Sequence, residues 1–468
     1  KGVIFMSDTK SLREKLFYKK TNGLKLADTD YTAVEEFCKG YTDFLGSAKT
    51  ERLAVKKALD IARDAGFCEY NPDKSYKAGD RIFINNRGKS LALAVIGTEP
   101  VEKGVRIAAA HIDSPRIDLK PNPLYEDSEL ALFKTHYYGG IKKYQWTTVP
   151  LALHGVFCKK DGTTVEVSIG ENEDEPCFVI TDLLPHLAQE QVKRPVGQLI
   201  KGEELNILIG SRAFKDDDES ESVKLNILNI LYEKYGIVEE DFLSAELECV
   251  PAGKPRDVGF DRSLIGSYGH DDRVCAYPCI MAALDAKLPK YTVLSILADK
   301  EETGSDGNTG MNSAFLAYVI EDLARMQGGS GYKALRASKC LSADVNAAFD
   351  PTFPDVMEKR NASQVNYGAV ITKYTGSRGK GDTSDASAEF VGWVRKILDE
   401  RNVVWQTGEL GKVDLGGGGT VAKYIANLGV DVVDLGVPVL SMHAPFEVVA
   451  KFDVYETYLA VKALFEAE

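Results

Sequence analysis

Paired cysteines, long apolar runs and an excess of basic residues are all missing from this sequence of 468 residues. Its eight cysteines are scattered, and none forms a Cys-x-x-Cys pair, so they are too sparse for a disulfide framework. We therefore expect reduced thiols and a cytoplasmic location. No stretch approaches about 18 uninterrupted apolar residues, which excludes a membrane-spanning helix. Residues 1–10 also lack the apolar segment of a signal peptide.

The charge balance is acidic. Asp and Glu number 70 against 57 Lys and Arg, which gives a net charge of -13. Nucleic acids and anionic membranes both need a basic protein face, so neither is expected as a partner. Apolar residues make up 44% and charged residues 27%, which is ordinary for a soluble globular protein, and the length suggests two or more domains.

Strand and helix patterns alternate in the first and last parts of the chain. A helical apolar stripe over residues 47–66 precedes two strand-like runs. The continuous apolar run over residues 105–113 is typical of a strand buried on both faces of a sheet. From about residue 263, strand and helix patterns alternate to the end. This alternation of strands and helices predicts an α/β fold, with a mostly parallel sheet and helices on both faces.

The middle of the chain differs from both ends in composition and in its hydrophobic pattern. Residues 121–145 are rich in turn formers and aromatics, and residues 151–170 show a hairpin pattern around Asp161 and Gly162. An acidic run within residues 211–222 indicates a solvated loop. We therefore predict one α/β domain, residues 1–119 and 250–468, interrupted by an inserted α+β domain of residues 120–249.

Acidic residues and histidines follow predicted strands at five places. The segments are AAAHIDSP, GHDDRV, LADKEETGS, LSADVN and LSMHAPFE. Ligand sites in open α/β sheets gather at the carboxyl ends of strands, so these segments are candidates for one shared site.

The first two segments each offer a pair of side chains. His111 and Asp113 are two residues apart in a strand, so both point to the same side, and Asp113 could orient a metal-binding His111. A satisfied polar strand end is the alternative. Asp271 and Asp272 precede an apolar helix, where acids also serve as helix caps. The functional interpretation is that Asp271 bridges two metals with both carboxylate oxygens.

Glu301 and Glu302 follow a buried strand directly. Two adjacent carboxylates repel each other unless something positive neutralises them. A metal on one and proton transfer by the other would resolve that conflict, whereas an exposed acidic turn is the alternative. Asp344 and His443 also end strands, although each alone is more often structural than functional.

Five metal-type ligands at strand ends fit a two-metal hydrolytic centre when they are taken together: His111, Asp271, Glu302, Asp344 and His443. Oxygen and nitrogen ligands without cysteine suit zinc, manganese or cobalt. The run LGGGGT at residues 415–420 could instead cradle a phosphate. It lacks the Gly-Lys-Ser/Thr of a phosphate-binding loop, so we favour a tight loop beside the site that lets substrate backbone approach closely.

In their order and in their residues, these segments resemble those of the M18 family of metallo-aminopeptidases, and the resemblance extends over nearly the whole chain. The matching segments are AAAHIDSPR, ITDLLPHL, the Asp-Asp-Arg segment, the Asp-x-Glu-Glu-Thr-Gly-Ser segment, LSADVN and SMHAPFE. The resemblance implies a zinc-peptidase-like catalytic domain with an inserted dimerisation domain. It also implies two divalent metal ions per chain, zinc first and manganese or cobalt as alternatives. The implied activity is removal of N-terminal residues from peptides.

The resemblance also implies roles for single residues. His111 and Asp344 look like terminal ligands of one metal, Glu302 and His443 look like terminal ligands of the other, and Asp271 looks like the bridge.

Four further residues take roles from the same resemblance. Asp113 matches the residue that orients His111, and Glu301 matches the general base. His186 matches a histidine that such enzymes contribute to a neighbouring subunit's active site, and Lys373 lies near the family's substrate-pocket lysine. The family further implies a homo-oligomer, a dodecamer built from dimers.

Two other functions stay open from the sequence. A carboxypeptidase or deacylase could use the same core, and cleavage of free-amine against N-acetylated peptides separates it from an aminopeptidase. A non-catalytic scaffold that kept the fold is the second alternative, which a peptidase assay at saturating metal decides.

Overall fold

The computed structural model describes residues 6–27, 29–217 and 219–468. Residues 1–5, in the segment examined for a signal peptide, and Asp218, in the acidic run, lie outside the described residues. The helices of the described part are α1 Met6–Leu16, α2 Tyr31–Ser47, α3 Glu51–Asp64, α4 Ser222–Tyr235, α5 His270–Asp285, α6 Phe315–Arg325, α7 Gly331–Ala337, α8 Ala388–Glu400, α9 Ala422–Asn427 and α10 Lys451–Phe465.

The strands form three sheets. In chain order they are β1 Cys68–Glu69, β2 Arg81–Asn86, β3 Ser90–Val95, β4 Arg106–His111, β5 Arg116–Asp127, β6 Leu130–Tyr138, β7 Leu151–Cys158, β8 Thr164–Ile169, β9 Val179–Ile180, β10 Ile207–Gly210, β11 Ala245–Pro251, β12 Arg256–Val258, β13 Leu264–Ser267, β14 Val293–Ala298, β15 Lys339–Ser342, β16 Asn346–Ala347, β17 Ala369–Thr372, β18 Trp405–Thr407, β19 Asp431–Gly436, β20 Pro438–Leu440 and β21 Glu447–Ala450.

The largest sheet has nine strands in the order β1-β2-β3-β14-β4-β15-β19-β17-β18. Its centre, β14, β4, β15 and β19, is parallel, whereas β3 and β17 run antiparallel to this central group. The predicted α/β fold is therefore confirmed. Every residue of β4 is buried: Ala108 and Ala110 face one core, and Ile107 and Ala109 face the other. This alternation, with helices on both sides, explains why the strand reads as one continuous apolar run.

The second sheet has seven antiparallel strands in the order β8-β7-β11-β5-β6-β10-β9, with its own core around Trp146, Phe157 and Phe242. It begins at Arg116 and ends at Pro251. The boundaries predicted from composition, residues 120 and 249, thus lie inside β5 and β11, because each strand continues past the point where the composition changes. We refer to this seven-stranded sheet with its loops, residues 116–251, as the inserted sheet.

A buried ion-pair cluster joins the inserted sheet to the rest of the chain. Arg116 lies 3.3 Å from Glu51 of α3, 3.3 Å from Glu248 of β11 and 2.8 Å from Asp118. Lys89 reaches Glu51 at 3.4 Å from the other side. Breaking such a cluster by removing one partner would leave uncompensated buried charge, so it fixes how the two sheets meet.

The third sheet, β12-β13-β21-β20-β16, is small. The apolar run over residues 432–440, which the sequence pattern predicts to be a single strand, forms two strands instead. β19 ends in the first sheet, and β20 then begins in this third sheet at Pro438, which has no backbone N–H. Ser267 of β13 pairs with Glu447 of β21, which brings the start of α5 beside the turn that carries His443. Throughout the described ranges, none of the helices has the length and apolar character that a membrane crossing requires.

Candidate metal centre

Five chain segments meet at one edge of the nine-stranded sheet. The strands β14, β4 and β15 are neighbours and parallel, so the residues after them emerge together: Asp299–Thr303, His111–Asp113 and Ala343–Asp344. The start of α5 and the turn between β20 and β21 complete the group. The side chains at the ends of distant segments converge because parallel strands share one carboxyl edge.

Asp271 lies between two imidazole rings. Its Oδ1 is 3.1 Å from Nε2 of His111, and its Oδ2 is 3.2 Å from Nε2 of His443. The backbone angles of Asp271 and Asp272 are not helical, and the peptide bond between them is cis. The regular part of α5 therefore begins after this pair, and the Asp271 carboxylate faces both rings.

Among the described residues, potential ligand atoms that lie within 4.8 Å of one another form three groups. Two of these groups share Asp271: His111, Asp271 and Asp344 form one, and Asp271, Glu302 and His443 form the other. The third group is His111, Glu301 and Glu302. Asp344 is 3.9 Å from the His111 ring nitrogen, and Glu302 is 3.5 Å from that of His443.

Glu301 stands beside these groups. Its Oε2 is 3.8 Å from Nε2 of His111, and its side chain is 16% exposed, against 4% for Glu302. Both glutamates border the cavity, and Glu301 is the more exposed of the two.

Burial and mutual repulsion disturb the ionisation of these groups. Burial raises the pKa of Glu301 to about 7. Burial and the Asp271 carboxylate raise the pKa of Glu302 well above its ordinary value. Burial lowers the pKa of His443, but the hydrogen bond to Asp271 and the charge of Glu302 outweigh it and raise that pKa to about 10. The carboxylates outnumber the rings, so the cluster favours divalent cations that would replace the bound protons.

Asp113 supports the site from behind. Its backbone carbonyl accepts a hydrogen bond from Nδ1 of His111 at 3.0 Å, and its Oδ1 lies 3.3 Å from the same nitrogen. Oδ1 also accepts the backbone N–H of Glu301 at 3.1 Å. Its Oδ2 accepts the backbone N–H of Glu302 at 3.2 Å and the hydroxyl of Tyr138 at 2.8 Å. Asp113 thus orients the His111 ring through its carbonyl and carboxylate, and its carboxylate holds the turn that carries both glutamates.

Three further residues that hold the site in place were not predicted from the sequence: Tyr138, Gly140 and Glu447. Glu447 accepts the backbone N–H of His443 at 2.7 Å and that of Asp271 at 3.1 Å. The carbonyl of Gly140, in the inserted sheet, accepts from Nδ1 of His443 at 2.7 Å. Tyr138, also in the inserted sheet, binds Asp113. The only sequence signal was the presence of Glu447 inside SMHAPFE, four residues after the histidine.

A cavity of about 680 Å³ opens over the cluster. Its walls include Asp271, Glu301, Glu302, Asp344 and His443, together with the glycine loop Gly417–Gly419, Thr420 and Leu410. A Cβ on Gly417 would lie 2.5 Å from Ser377 Cα, so this wall presents bare backbone. The glycine loop therefore forms one wall of the cavity over the cluster.

Two candidate residues lie apart from this cluster. His186 is exposed on a turn of the inserted sheet and does not line the cavity. Lys373 binds Asp385 at 2.5 Å, and its neighbour Thr375, rather than Lys373 itself, lines the cavity. Within one chain the structure does not bring His186 or Lys373 to the ligands.

The donor set fits a pair of zinc-type cations. It contains two ring nitrogens and several carboxylates, with no cysteine. The buried Oε1 of Glu302 has no hydrogen-bond partner within residues 6–27, 29–217 and 219–468, which is a costly state for a carboxylate oxygen. A cation at this position would satisfy that oxygen.

Comparisons with known proteins agree with the geometry. The family model "Aminopeptidase I zinc metalloprotease (M18)" matches residues 44–465. A probable M18 family aminopeptidase 1 from Clostridium acetobutylicum is 52% identical over 425 residues, covering 89% of this chain and 91% of that protein. The crystal structure of an M18 aminopeptidase from Thermotoga maritima matches with a TM-score of 0.91 at 45% identity, over 96% of this chain and 100% of that one. The S. cerevisiae mApe1 dodecamer, at 19% identity and a TM-score of 0.74 over 92% of this chain and 96% of that one, shares the fold.

Proposed function

This chain belongs to the M18 family of zinc metalloproteases and is an aminopeptidase, and we propose that it works through two metal ions bridged by Asp271, with Glu301 as general base. One observation carries the proposal. The two oxygens of the Asp271 carboxylate each face a different histidine, with Asp344 and Glu301 also beside His111 and Glu302 also beside His443.

The cavity walls explain why an N-terminal amine suits this site. Six carboxylates line the cavity: Asp271, Glu301, Glu302, Asp306, Asp344 and Asp382. The one lysine among the lining residues, Lys423, already binds Asp382 at 3.0 Å. Bound cations would offset the charges of the three ligand carboxylates, whereas Glu301 and Asp306 would still attract a cationic amine and repel the carboxylate of a peptide C-terminus. This disfavours a carboxypeptidase.

Different residues of the chain have different roles in the proposed reaction. Two bound cations would polarise the scissile carbonyl and lower the pKa of a water between them. Glu301 takes a proton from the attacking water and delivers it to the leaving amine, because it borders both the cavity and the ligands. Asp113 holds the Glu301 backbone and the His111 ring in place. The glycine loop lets the peptide backbone lie close to these groups.

The inserted sheet supports an oligomeric state. A surface strip around His186 exposes five large apolar side chains: Leu183, Leu184, Leu187, Val192 and Val196. Contiguous exposed apolar surface is typical of protein–protein contacts. We therefore propose that this strip packs against a second copy, that residues 120–249 act as a dimerisation domain, and that dimers assemble further into a dodecamer. His186 would then enter the cavity of a neighbouring subunit and stabilise the developing oxyanion there.

Lys373 remains a proposed substrate-binding residue. It follows β17 directly and neighbours the cavity wall at Thr375, but Asp385 holds its ammonium group. A substrate carboxylate would have to displace Asp385 to bind it.

Metal titration and substrate choice together test the proposed function. Metal-free protein should be inactive, bind about two zinc ions per chain and then cleave peptides with a free N-terminus but not N-acetylated ones. Binding of a single ion at full activity would contradict the two-metal arrangement. Cleavage of N-acetylated peptides at the same rate would contradict recognition of the amine.

A further inference from the structure

A short segment of the inserted sheet contacts both halves of the metal centre. The segment is Tyr138–Gly140, at the end of β6. The Tyr138 hydroxyl donates to Oδ2 of Asp113 at 2.8 Å, and the Gly140 carbonyl accepts from the His443 ring at 2.7 Å. The inserted sheet thus reaches the His111 side through Tyr138 and the His443 side through Gly140.

Tyr138 is one of two donors on the same oxygen. The Oδ2 atom of Asp113 also accepts the backbone N–H of Glu302, while Oδ1 accepts that of Glu301. Asp113 is completely buried, so water cannot replace a missing donor without a rearrangement. Loss of the Tyr138 hydroxyl would leave the carboxylate free to shift, and with it the backbone of both glutamates. The His111 ring would keep its bond to the Asp113 carbonyl but lose the fixed position of Oδ1, which lies 3.3 Å from Nδ1.

The Tyr138 ring is itself fixed by the buried ion-pair cluster. The guanidinium carbon of Arg116 lies 3.9 Å from the ring centroid. Arg116 is held in turn by Glu51 and Glu248, one from each side of the contact between the sheets. A stacked, desolvated guanidinium holds an aromatic ring firmly. The hydroxyl therefore has little freedom to leave Asp113.

We propose that Tyr138 is a positioning residue that acts through Asp113 to set the geometry of His111 and of the Glu301–Glu302 turn. This inference rests on the proposed function, because it assumes that these residues bind metal and transfer a proton. It also means that the inserted sheet helps to build the metal centre in its own subunit, in addition to any contact between subunits.

The hydroxyl can be removed alone by Tyr138→Phe. Tyr137→Phe is the matched control, because it removes the same group from the adjacent strand residue, which points to the opposite face and is 39% exposed. For Tyr138→Phe we expect unchanged thermal unfolding, zinc affinity weakened roughly tenfold at one of the two sites, and an altered absorption spectrum of the cobalt-substituted protein. We expect kcat to fall by about tenfold with KM nearly constant. Tyr137→Phe should match the wild type throughout.

A double-mutant cycle shows whether the effect passes through Asp113. If it does, Tyr138→Phe combined with Asp113→Asn should be no worse than Asp113→Asn alone, in both kcat and zinc affinity. Additive losses would overturn the proposal. So would equal zinc affinity and kcat in the two Tyr→Phe variants, or unfolding of Tyr138→Phe under conditions where Tyr137→Phe stays folded.

Failure of this inference is distinguishable from failure of the proposed function. A wild type that binds two zinc ions and is active, beside an unaffected Tyr138→Phe, overturns only the role of Tyr138. A wild type that binds no zinc overturns the metal centre, and the role of Tyr138 with it.

Discussion

The Glu447 carboxylate accepts the backbone N–H of His443 at 2.7 Å. His443 has a φ of 65, in the left-handed region that residues other than glycine rarely adopt. The second Glu447 oxygen holds the backbone of Asp271. One side chain therefore holds the backbone of both Asp271 and His443, which come from two different segments.

We expect Glu447→Gln to weaken metal binding on the His443 side. An amide has only one oxygen, so one of the two backbone N–H groups would face an N–H₂ donor instead of an acceptor. Isothermal titration with zinc should show one site of nearly normal affinity and one weakened by roughly tenfold or more. Glu389→Gln, at an exposed position of α8, is the control. Two unchanged sites in Glu447→Gln would show that the carboxylate is not needed.

Glu301→Gln should separate metal binding from catalysis. The amide cannot accept a proton, so kcat should fall by about 10²- to 10⁴-fold while about two zinc ions remain bound. Glu302→Gln, one residue along, should instead lose a metal ion. Elemental analysis and steady-state kinetics on the same preparations distinguish the two outcomes, and full turnover by Glu301→Gln would refute its assignment as the base.

His186→Ala should lower kcat by about 10²-fold without loss of metal, because the predicted role is oxyanion stabilisation. His136→Ala, another exposed histidine of the inserted sheet, should be neutral. The sharper experiment mixes two inactive proteins.

Reassembled oligomers of His186→Ala and Glu301→Gln subunits should recover activity. A His186→Ala subunit keeps Glu301 and can receive His186 from its neighbour. Mixtures as inactive as either parent would contradict a role for His186 between subunits.

Stability should depend on pH through Glu456 of α10, which is not one of the candidate ligands. Burial raises the pKa of this α10 side chain to about 7, although it accepts the backbone N–H of Val404. The pKa of Glu456 is higher in the folded protein than in the unfolded protein, where it is 4.5. Below pH 4.5 the side chain therefore does not reduce the free energy of unfolding, and that free energy falls as pH rises through about 7. At pH 8 the buried Glu456 charge lowers the free energy of unfolding by roughly 3 kcal/mol at most.

Glu456→Gln keeps the acceptor for Val404 and removes the charge. Thermal unfolding of Glu456→Gln should therefore occur at a higher temperature than that of the wild type at pH 8 and at nearly the same temperature at pH 4.5. An equal difference at both pH values would mean that the buried charge is not the cause.

The sequence indicated the convergence of the ligands because strand patterns and polar strand ends are both local signals. The apolar alternation of β4 leads directly to His111, and the buried run of β14 leads to Glu301 and Glu302. In a parallel sheet these ends must share one edge, so neighbouring polar residues follow from strand order alone.

The supporting contacts could not be predicted in the same way. Tyr138 and Gly140 belong to another sheet, and their approach depends on how Arg116, Glu51 and Glu248 fix the contact between the sheets. Glu447 acts on backbone N–H groups, which leave no mark in the sequence. The break between β19 and β20 could not be predicted either, because a single apolar run in the sequence forms strands of two different sheets.

The contact of Gly140 with His443 limits how this enzyme can be shortened. A miniature version without residues 116–251 would leave the imidazole without its acceptor and Asp113 without its tyrosine donor. A compact peptidase built from this chain would therefore have to keep the segment Tyr138–Gly140, which supplies both contacts.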